Sequence, residues 1–416
     1  MSEPSRATPR RVVFIDDDPL ILNGLQRSLR HLRPRWEMAF VTTGQEALAL
    51  MDTAPVDVLI TDMHMPGMSG ADVIEQVHLR HPGTIRIILS GQADQALMMR
   101  CIPLAHRFLP KPCEPAEIAR VMERVATIEY SLQLDRVRQV IARLTRIPSV
   151  PELYLKIIQV LQNPDAGIGE VADVVSQDPG TTAGLLRIVN SAYFGLARRI
   201  TDAREAVRFL GVDMVRTLAL AVGAFEQLSV GRLQNFVPDE LWRHSMATAS
   251  LARSIARVEG LGNREQDLFF VAGLLHDIGR LVIASSLSED WQRIVEFAEA
   301  NKCPADVAEL ATIQTTHAEI GGGLLGLWGL PTDLVDAVMH HHNPCAVAGS
   351  AQICAIAVHC ADHLTGEREV DHGSFAPPAL DLDCLRAAGF AERFKVWSRL
   401  AAEPECASRT PSEASG

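Results

Sequence analysis

The sequence predicts two domains of different classes, an α/β domain with a doubly wound, five-stranded parallel sheet followed by an all-α domain. The chain has 416 residues, which is too long for one ordinary hydrophobic core. Short β-branched runs alternate with helical stretches as far as Lys111, whereas beyond Pro151 apolar residues recur at helical spacing without a convincing alternating strand. Aliphatic residues must supply most of both cores, because hydrophobic residues make up 47% of the chain and aromatic residues only 5%.

Five short apolar runs are the predicted strands of the first domain. Helical stretches such as residues 20–32 and 45–51 separate them. Parallel strands joined by crossover helices are buried on both faces, so near-continuous apolar runs are what such a sheet requires. The runs are residues 12–15, 36–41, 58–60, 85–89 and 107–109.

Residues of the types that take part in phosphoryl transfer follow four of these strands. They are Asp16 and Asp17, then Asp62, Ser90 and Lys111. The carboxyl ends of parallel strands meet at one edge of a sheet, so these side chains should share a crevice. Three carboxylates placed together repel one another unless a hard cation such as Mg²⁺ lies among them. Asp62 would then be a carboxylate nucleophile, with Lys111 and Ser90 placed to stabilise phosphoryl oxygens.

The segments Ile15-Asp16-Asp17-Asp18-Pro19, Asp62-Met63-His64-Met65-Pro66-Gly67-Met68-Ser69-Gly70 and Lys111-Pro112 resemble the response-regulator receiver family, whose fold is flavodoxin-like. The resemblance covers residues 11–126. It implies that a histidine kinase phosphorylates Asp62, that Asp16 and Asp17 hold Mg²⁺ with Asp62, and that His64 contributes only its backbone carbonyl. It also implies that Ser90 and Phe108 form the switch that responds to phosphorylation.

A helix should close the first domain, because Ile118, Val121, Val125, Ile128 and Leu132 step by three and four residues. Two interpretations stay open for this stripe: packing on the sheet, or continuation through a linker at residues 127–146 as the seam of a homodimer. The prolines at 148 and 151 mark the domain boundary.

The second domain should begin its helices at prolines, with Asp178 before Pro179 as a helix cap and Asn190-Ser191 as residues that end a helix. The segments Ile147-Pro148-Ser149-Val150-Pro151-Glu152, Leu185-Leu186-Arg187-Ile188-Val189-Asn190-Ser191-Ala192 and Ala206-Val207-Arg208-Phe209-Leu210-Gly211 resemble the HDOD family. The resemblance, taken as a domain over residues 147–366, implies an all-α HD-type fold, a helical signalling relative of the HD phosphohydrolases.

Eight of the fourteen histidines lie between His244 and His363, and His276-Asp277 places an imidazole and a carboxylate inside an apolar run. A lone histidine on a helix is more often a core or surface residue than a ligand. As a set, however, the residues resemble the ligands of the HD-GYP phosphodiesterases, and imidazole with carboxylate suits iron or manganese. The set is Glu240, His244, His276, Asp277, His317, His341, His342 and Asp362, with His340 as a reserve ligand and His359 and His363 as outer groups.

The departures from that family weaken the case for catalysis. No Gly-Tyr-Pro follows His342, and Arg280 stands where the family has a lysine. We therefore favour a regulatory, non-enzymatic output domain whose downstream partner or cyclic nucleotide the sequence does not name. The alternative is a receiver-regulated, metal-dependent phosphohydrolase similar to the cyclic di-GMP phosphodiesterases, and DNA binding ranks last.

Composition bounds the setting of the protein. The net charge of −12 argues against nucleic-acid binding. Residues 1–10 lack the apolar core of a signal peptide, and no uninterrupted apolar run reaches membrane-spanning length, so we expect a cytoplasmic protein with no membrane partner. The eight cysteines contain no Cys-x-x-Cys pair and are read as buried thiols of a reducing compartment.

We expect residues 1–10 to be flexible, 367–402 to form a helical extension and 403–416 to be a disordered tail.

Overall fold

The computed structural model describes residues 10–81, 83–90, 101, 104–130, 151–161, 163, 166–190, 198–228, 236–367 and 375–402. The chain divides into two compact units, one built on residues up to Val150 and the other on residues from Pro151. Each unit has its own secondary structure and core.

The first unit is the predicted α/β fold with five parallel strands in the order β2-β1-β3-β4-β5. The strand that begins the chain therefore lies inside the sheet, and the connections between neighbours are crossovers. The strands are β1 (Arg10–Ile15), β2 (Trp36–Val41), β3 (Val58–Asp62), β4 (Ile85–Ser90) and β5 (Arg107–Pro110). The α-helices are α1 (Pro19–Ser28), α2 (Gly44–Thr53), α3 (Gly70–Arg80) and α4 (Pro115–Tyr130).

Successive strand residues point to opposite faces of the sheet, which gives two apolar layers. Phe14 and Ile60 pack on the side of α1 and α4, where Ile118 and Val121 join them. Ile15 and its neighbours pack on the opposite side, against α2 and α3. The first part of the predicted stripe on α4 thus packs on the sheet, while the expected dimer seam continues into residues outside those described.

Helix caps at the starts of α1 and α3 position the backbone next to the carboxyl edge of this sheet. The Asp18 carboxylate accepts a hydrogen bond from Leu20 N at 2.7 Å and begins α1 directly after β1. Ser69 and Asp72 form a capping box at the start of α3. Gly70 has to be glycine, because a Cβ there would lie 2.0 Å from the Asp62 carbonyl oxygen. The start of α3 therefore packs tightly against the end of β3.

The second unit has helices and no strand among the residues that are described in it. Its helices are α5 (Glu152–Leu161), α6 (Ile168–Ser176), α7 (Pro179–Val189), α8 (Ala203–Leu210), α9 (Val212–Leu228), α10 (Pro238–Val258), α11 (Asn263–Leu275), α12 (Ile278–Ser286), α13 (Ser288–Asn301), α14 (Ala305–Ile313), α15 (His317–Leu327), α16 (Thr332–Met339), α17 (Ser350–Gly366), α18 (Leu382–Ala387) and α19 (Ala391–Ala402).

Both ends of α7 are closed by the side chains that the sequence indicated. Asp178 accepts hydrogen bonds from Gly180 N and Thr181 N at its start. Asn190 follows its end, donates to the Ile200 carbonyl and accepts from Ile200 N, both at 2.7 Å. Asn190 thereby ends the helix and holds a distant stretch of backbone, and Ser191 lies outside the described residues.

The expectation that no apolar stretch reaches membrane-spanning length needs correction. Within Asn263–Ser286 an 18-residue window has a mean hydropathy of 1.6, enough to cross a membrane by length and composition alone. Buried residues make up 83% of that window, and the stretch consists of α11 and α12, separated at His276 and Asp277. A core helix pair explains the apolar composition without a membrane.

The interpretation of all cysteines as buried thiols is wrong for four of those described, two because they form a disulfide and two because they are partly exposed. Cys345 and Cys384 form a disulfide with their Cα atoms 5.7 Å apart, although 39 positions separate them in sequence. The disulfide places α18 beside the loop that follows His342. The spacing of the cysteines in the sequence does not indicate that these two segments are close. Free cysteines are Cys101, Cys354 and Cys360, which are buried, and Cys113 and Cys303, which are partly exposed.

Candidate functional sites

The acidic site of the first unit forms at the carboxyl edge of its sheet. Asp16 follows β1, Asp62 ends β3, and Lys111 follows β5. Lys111 Nζ lies 2.6 Å from Asp62 Oδ1 and 3.1 Å from Asp16 Oδ2. Oxygen atoms of Asp16, Asp17 and Asp62 all lie within 4.8 Å of one another, with Asp17 exposed and the other two buried. The strand ends thus bring four of the predicted site residues together.

Burial and charge act in opposite directions on this site. Burial raises the pKa of Asp62, and the Asp16 charge adds to that rise, whereas the Lys111 ammonium group opposes it. Burial would lower the pKa of Lys111, but its contacts with Asp62 and Asp16 outweigh that and raise it. Lys111 is therefore held as a cation, and it partly balances the crowded carboxylates. Such an all-oxygen donor set fits Mg²⁺.

The remaining residues predicted for this site are placed less completely. Ser90 is the last residue of β4, and its side chain lies outside the described part of the molecule. Phe108 lies in β5, pairs with Ile88 in register and packs, partly buried, against the apolar layer of α2 and α3. The His64 side chain is exposed. The switch role of Ser90 and Phe108 stays a prediction.

The second candidate site is a cluster of buried imidazoles and carboxylates carried by five separate parts of the helical unit. His244 lies on α10, and Asp362 on α17 faces it, with His244 Nε2 3.0 Å from Asp362 Oδ1. His276 and Asp277 lie at the joint between α11 and α12. His317 begins α15, and its Nε2 atom lies 3.0 Å from Asp277 Oδ1.

His341 and His342 follow α16 and complete the cluster. Their ring centroids lie 4.0 Å apart, and His342 Nε2 is 3.0 Å from His317 Nε2. Potential ligand atoms fall into three groups within 4.8 Å: His244, His276 and Asp362; His276, Asp277 and His341; and His317, His341 and His342. Seven of the eight predicted ligands therefore come together, from positions spread over more than a hundred residues.

Two buried nitrogen atoms in this cluster have no hydrogen-bond partner, His276 Nε2 and His341 Nε2. The opposite nitrogen of each ring faces a backbone carbonyl, Gly273 at 2.8 Å and Val338 at 2.7 Å. A carbonyl can only accept, so Nδ1 carries a proton in both rings, and Nε2 of each ring faces into the cluster. Unpaired buried imidazole nitrogens beside carboxylates are the donor set of a divalent metal site, and the residues fit such an ion.

Neighbouring groups lower the pKa of both an aspartate and a histidine of the cluster. Burial opposes the ionisation of Asp277, but His276, Arg280 and His317 hold its pKa well below the usual range. Burial, with the neighbouring charges of His276 and His317, lowers the pKa of His341 to about 3. His341 is therefore a neutral imidazole at ordinary pH, which is the protonation state that binds a metal.

His317 behaves in the opposite way and depends on Glu309. Although burial opposes protonation, Glu309 and Asp277 raise the pKa of His317 to about 10. Glu309 is completely buried, and its Oε2 atom accepts hydrogen bonds from His317 Nδ1 and His317 N, each at 2.7 Å. The sequence interpretation missed Glu309. The available signal was a glutamate among the buried residues Ala305, Ala308 and Ile313 of α14.

Arg280 and Gly279 shape the start of α12 around Asp277. Arg280 Nη1 donates to Asp277 Oδ2 at 2.8 Å, and its guanidinium group lies 5.1 Å from the centre of the Phe375 ring. A Cβ on Gly279 would lie 2.0 Å from the His317 carbonyl oxygen. Only glycine lets α12 approach α15 closely enough for Asp277 to reach His317.

The other predicted residues lie around the cluster. Glu240 is exposed on the first turn of α10 and lines the adjacent cleft, but it is absent from the three close groups. His340 is partly buried and is also absent from those groups. His359 is buried, with Nδ1 2.7 Å from the His341 carbonyl oxygen. His363 Nδ1 lies 2.7 Å from the Pro378 carbonyl oxygen.

A cleft of about 150 Å³ opens beside the cluster. His244, Asp277, His317, His342 and Asp362 lie along it, so part of the cluster is open to a ligand. Its outer walls combine aromatic rings with charged groups, namely Phe236, Trp291 and Phe375 with Glu240, Arg280 and Asp306. The cleft thus provides a place where a small molecule could meet the cluster.

A parallel sheet with an acidic carboxyl edge, joined in one chain to a helical unit with a histidine–aspartate cluster, defines a two-domain signalling protein. The family model of the response regulator receiver domain matches residues 12–123, and that of the HDOD domain matches residues 147–344. The chain therefore belongs to the response regulators that carry an N-terminal receiver domain and a C-terminal HDOD domain.

Individual proteins are similar to parts of this chain. An uncharacterized protein of Treponema pallidum is 31% identical over 223 residues, 52% of this chain and 42% of that protein. The DNA-binding transcriptional regulator NtrC of Salmonella typhimurium is 29% identical over 238 residues, 53% of this chain and 49% of NtrC. The chain thus spans less than half the length of either relative. The crystal structure of an HDOD domain protein with unknown function from Geobacter sulfurreducens is 27% identical, with a TM-score of 0.53, and the match covers 65% of this chain and 92% of that one.

Proposed function

We propose that this response regulator receives a phosphoryl group on Asp62 from a histidine kinase. The observation that supports this proposal is the contact of Lys111 Nζ with Asp62 Oδ1 at 2.6 Å, at an edge where Asp16 and Asp17 supply further oxygens. Asp16, Asp17 and Asp62 would hold Mg²⁺, which when bound neutralises charge on the phosphoryl oxygens. An Asp62 oxygen attacks phosphorus, the bond from phosphorus to the kinase imidazole breaks, and Lys111 balances the charge on the oxygens.

Phosphotransfer to purified full-length protein tests this proposal. Labelled acetyl phosphate or a labelled kinase should modify the wild type and the control variant Asp52→Asn, whose exchanged carboxylate is on the surface of the same domain. Asp62→Asn should remain unlabelled. Persistent labelling of Asp62→Asn at the wild-type level would refute the assignment of the phosphoacceptor.

For the HDOD domain we propose a regulatory output module that holds a divalent metal, iron or manganese being the best match to its donors. The unpaired Nε2 atoms of His276 and His341 carry this proposal. His244, His276, Asp277, His317, His341, His342 and Asp362 would be the ligands, and Glu309 would orient His317. Glu240 is exposed and would contribute only at the mouth of the cleft.

Elemental analysis of anaerobically purified protein tests this proposal. It also tests whether His341, rather than the neighbouring His340, is the ligand. The wild type should retain metal, His341→Gln should lose it, and His340→Gln should keep it, because the His340 ring lies outside the close groups. The reverse pattern in the two variants would shift the site by one residue. A metal content near zero in the wild type would defeat the proposal.

A metal-dependent phosphohydrolase is the second candidate, and the cleft beside Asp277 and Asp362 favours it. A bound divalent metal would supply an activated water and polarise a phosphoryl oxygen. Arg280 would balance the charge of a phosphate in the cleft. The absence of Gly-Tyr-Pro after His342 weighs against this reading. Hydrolysis of cyclic di-GMP or bis(p-nitrophenyl) phosphate at enzymatic rates by metal-loaded protein, but not by Asp277→Asn, would replace the purely regulatory proposal.

Cytoplasmic location, the absence of nucleic-acid binding and a homodimer in solution stay predictions. Sedimentation of phosphorylated and unphosphorylated protein addresses the last of these, and a DNA-binding assay at stated salt addresses the second.

A further inference from the structure

The disulfide joins two parts of the HDOD domain that border the cluster. Cys345 follows His342 by three residues and is exposed, whereas Cys384 lies in α18 and is 5% exposed. Part of the chain shortly before Cys384 lies along the cleft. The cover segment, defined as residues 375–387, supplies Phe375, Ala376, Pro377 and Pro378 to its wall.

Two consecutive hydrogen bonds, with His359 between them, connect the cover segment to the backbone of His341, a proposed metal ligand. Asp381 N donates to His359 Nε2 at 2.9 Å, and His359 Nδ1 lies 2.7 Å from the His341 carbonyl oxygen. The Asp381 carboxylate also caps α18 by accepting from Cys384 N at 2.8 Å. The covalent bond at Cys384 therefore holds Asp381 in place, and Asp381 fixes the ring behind His341.

The other contacts of the cover segment are non-covalent, with Phe375 lying against Trp291 and the Arg280 guanidinium group, and the next helix has an anchor of its own. Pro378 O lies 2.7 Å from His363 Nδ1, and Ala376 N donates to Cys303 O at 3.1 Å. Beyond the cover segment, Arg393 and Trp397 of α19 both donate to the Glu259 carboxylate. Loss of the disulfide should consequently loosen the cover segment without detaching α19.

We propose that Cys345–Cys384 is a redox switch that sets how tightly the cover segment closes the cleft. The reductant is a cellular dithiol. One of its thiolates attacks the exposed sulfur of Cys345, the S–S bond breaks, and Cys384 leaves as a thiolate that takes up a proton. The second thiol of the reductant then displaces Cys345, so that two protein thiols and one reductant disulfide result. Oxidation reverses these steps and closes the cover segment.

The exposure of Cys345 separates this pair from the other cysteines that are described. Cys101, Cys354 and Cys360 are buried and inaccessible to a protein reductant. Cys303 is partly exposed and close to Ala376, so it serves as a matched control rather than as part of the pair.

Two measurements on the full chain test the proposal. Alkylation in denaturant without reductant should modify six of the eight cysteines and protect Cys345 and Cys384. Hydrogen exchange followed by mass spectrometry should then show amides of residues 375–387 exchanging at least about tenfold faster after reduction, with little change in 391–402. Cys345→Ser should exchange like the reduced wild type whether or not reductant is present, and Cys303→Ser should behave as the wild type.

The proposal fails in either of two results. Alkylation of all eight cysteines in protein exposed to oxidised glutathione would show that the bond does not form. A bond that forms but leaves the exchange of residues 375–387 unchanged on reduction would be structural only. Neither measurement requires a bound metal, so failure of the proposed metal site would leave this test intact.

Discussion

The acidic site of the receiver domain and the histidine–aspartate cluster of the HDOD domain both bring carboxylates together, but they balance charge in different ways. In the receiver domain Lys111 contacts Asp62 and Asp16 and provides a cation from the protein itself. In the HDOD domain Arg280 and His317 pair with Asp277, yet His276 Nε2 and His341 Nε2 stay unpaired.

This difference teaches what each site needs from outside the chain. In the receiver site Lys111 partly balances Asp16 and Asp62, and Asp17 is exposed, so a cation there would meet solvent. The HDOD cluster buries two nitrogen atoms, His276 Nε2 and His341 Nε2, that have no hydrogen-bond partner among the described residues, and such a group costs free energy until it is paired. A metal should therefore bind weakly and exchangeably at the first site and tightly at the second.

The largest expected effect is the loss of metal from the HDOD domain in Asp277→Asn. This carboxylate belongs to a close ligand group and contacts His317, so its removal should lower metal affinity by more than about 100-fold, beyond the loss expected for an outer partner. Metal competition assays measure the change. Asp213→Asn, whose side chain is 94% exposed, is the matched control. Labelling of Asp62 should persist in both variants, and its loss would show that the two sites are not independent.

A smaller effect is expected for Glu309→Gln. The amide keeps the size of the side chain but weakens the contact of position 309 with His317 Nδ1, which holds the His317 ring in place. Metal affinity should fall about 10- to 100-fold, as for other outer partners of metal-binding histidines. Glu296→Gln on the exposed face of α13 is the control. Unchanged affinity with an unchanged fold would mean that Glu309 has no part in orienting the ligand.

The smallest effect concerns the pH dependence of receiver stability. Burial, together with Arg86 and His78, holds the pKa of His106 well below its ordinary value of 6.5. Below pH 6.5 the unfolded chain binds a proton that the folded domain excludes, so this contribution to stability is complete above pH 6.5 and declines as the pH falls. The slope should reach at most about 1.4 kcal/mol per pH unit.

Urea titrations that follow thiol labelling of the buried Cys101 measure this slope for the receiver domain within the full chain. His31→Gln, which changes an exposed ring, should keep the slope, and His106→Gln should reduce it. An identical slope in His106→Gln would assign the pH dependence to other groups.

Sequence patterns predicted the receiver site more completely than the helical one, for a geometric reason. Parallel strands end at a common edge, so Asp16, Asp62 and Lys111 could be brought together from strand positions alone. The helical ligands could be recognised only as a set, because helix periodicity does not say which faces meet. Glu309 was missed because its partner lies on the next helix, and Glu240 was included although the structure leaves it exposed.

Two further features depend on distance through space rather than along the chain. The Cys345–Cys384 bond joins residues 39 positions apart, and no local spacing indicates it. The apolar stretch at Asn263–Ser286 was overlooked because His276 and Asp277 interrupt it, while its average hydropathy remains high. Both examples show that an interruption or a separation in sequence can hide a continuous feature of the fold.

Gly279 gives the cluster a narrow tolerance to mutation. A Cβ added there would lie 2.0 Å from the His317 carbonyl oxygen and 2.9 Å from Gly321 N, both in the backbone of α15. Backbone atoms inside a helix cannot move aside as the end of a flexible side chain can. In a library of single substitutions, this position should accept no other amino acid without moving Asp277 away from His317. A residue with no functional group would then be as intolerant of change as the ligands themselves.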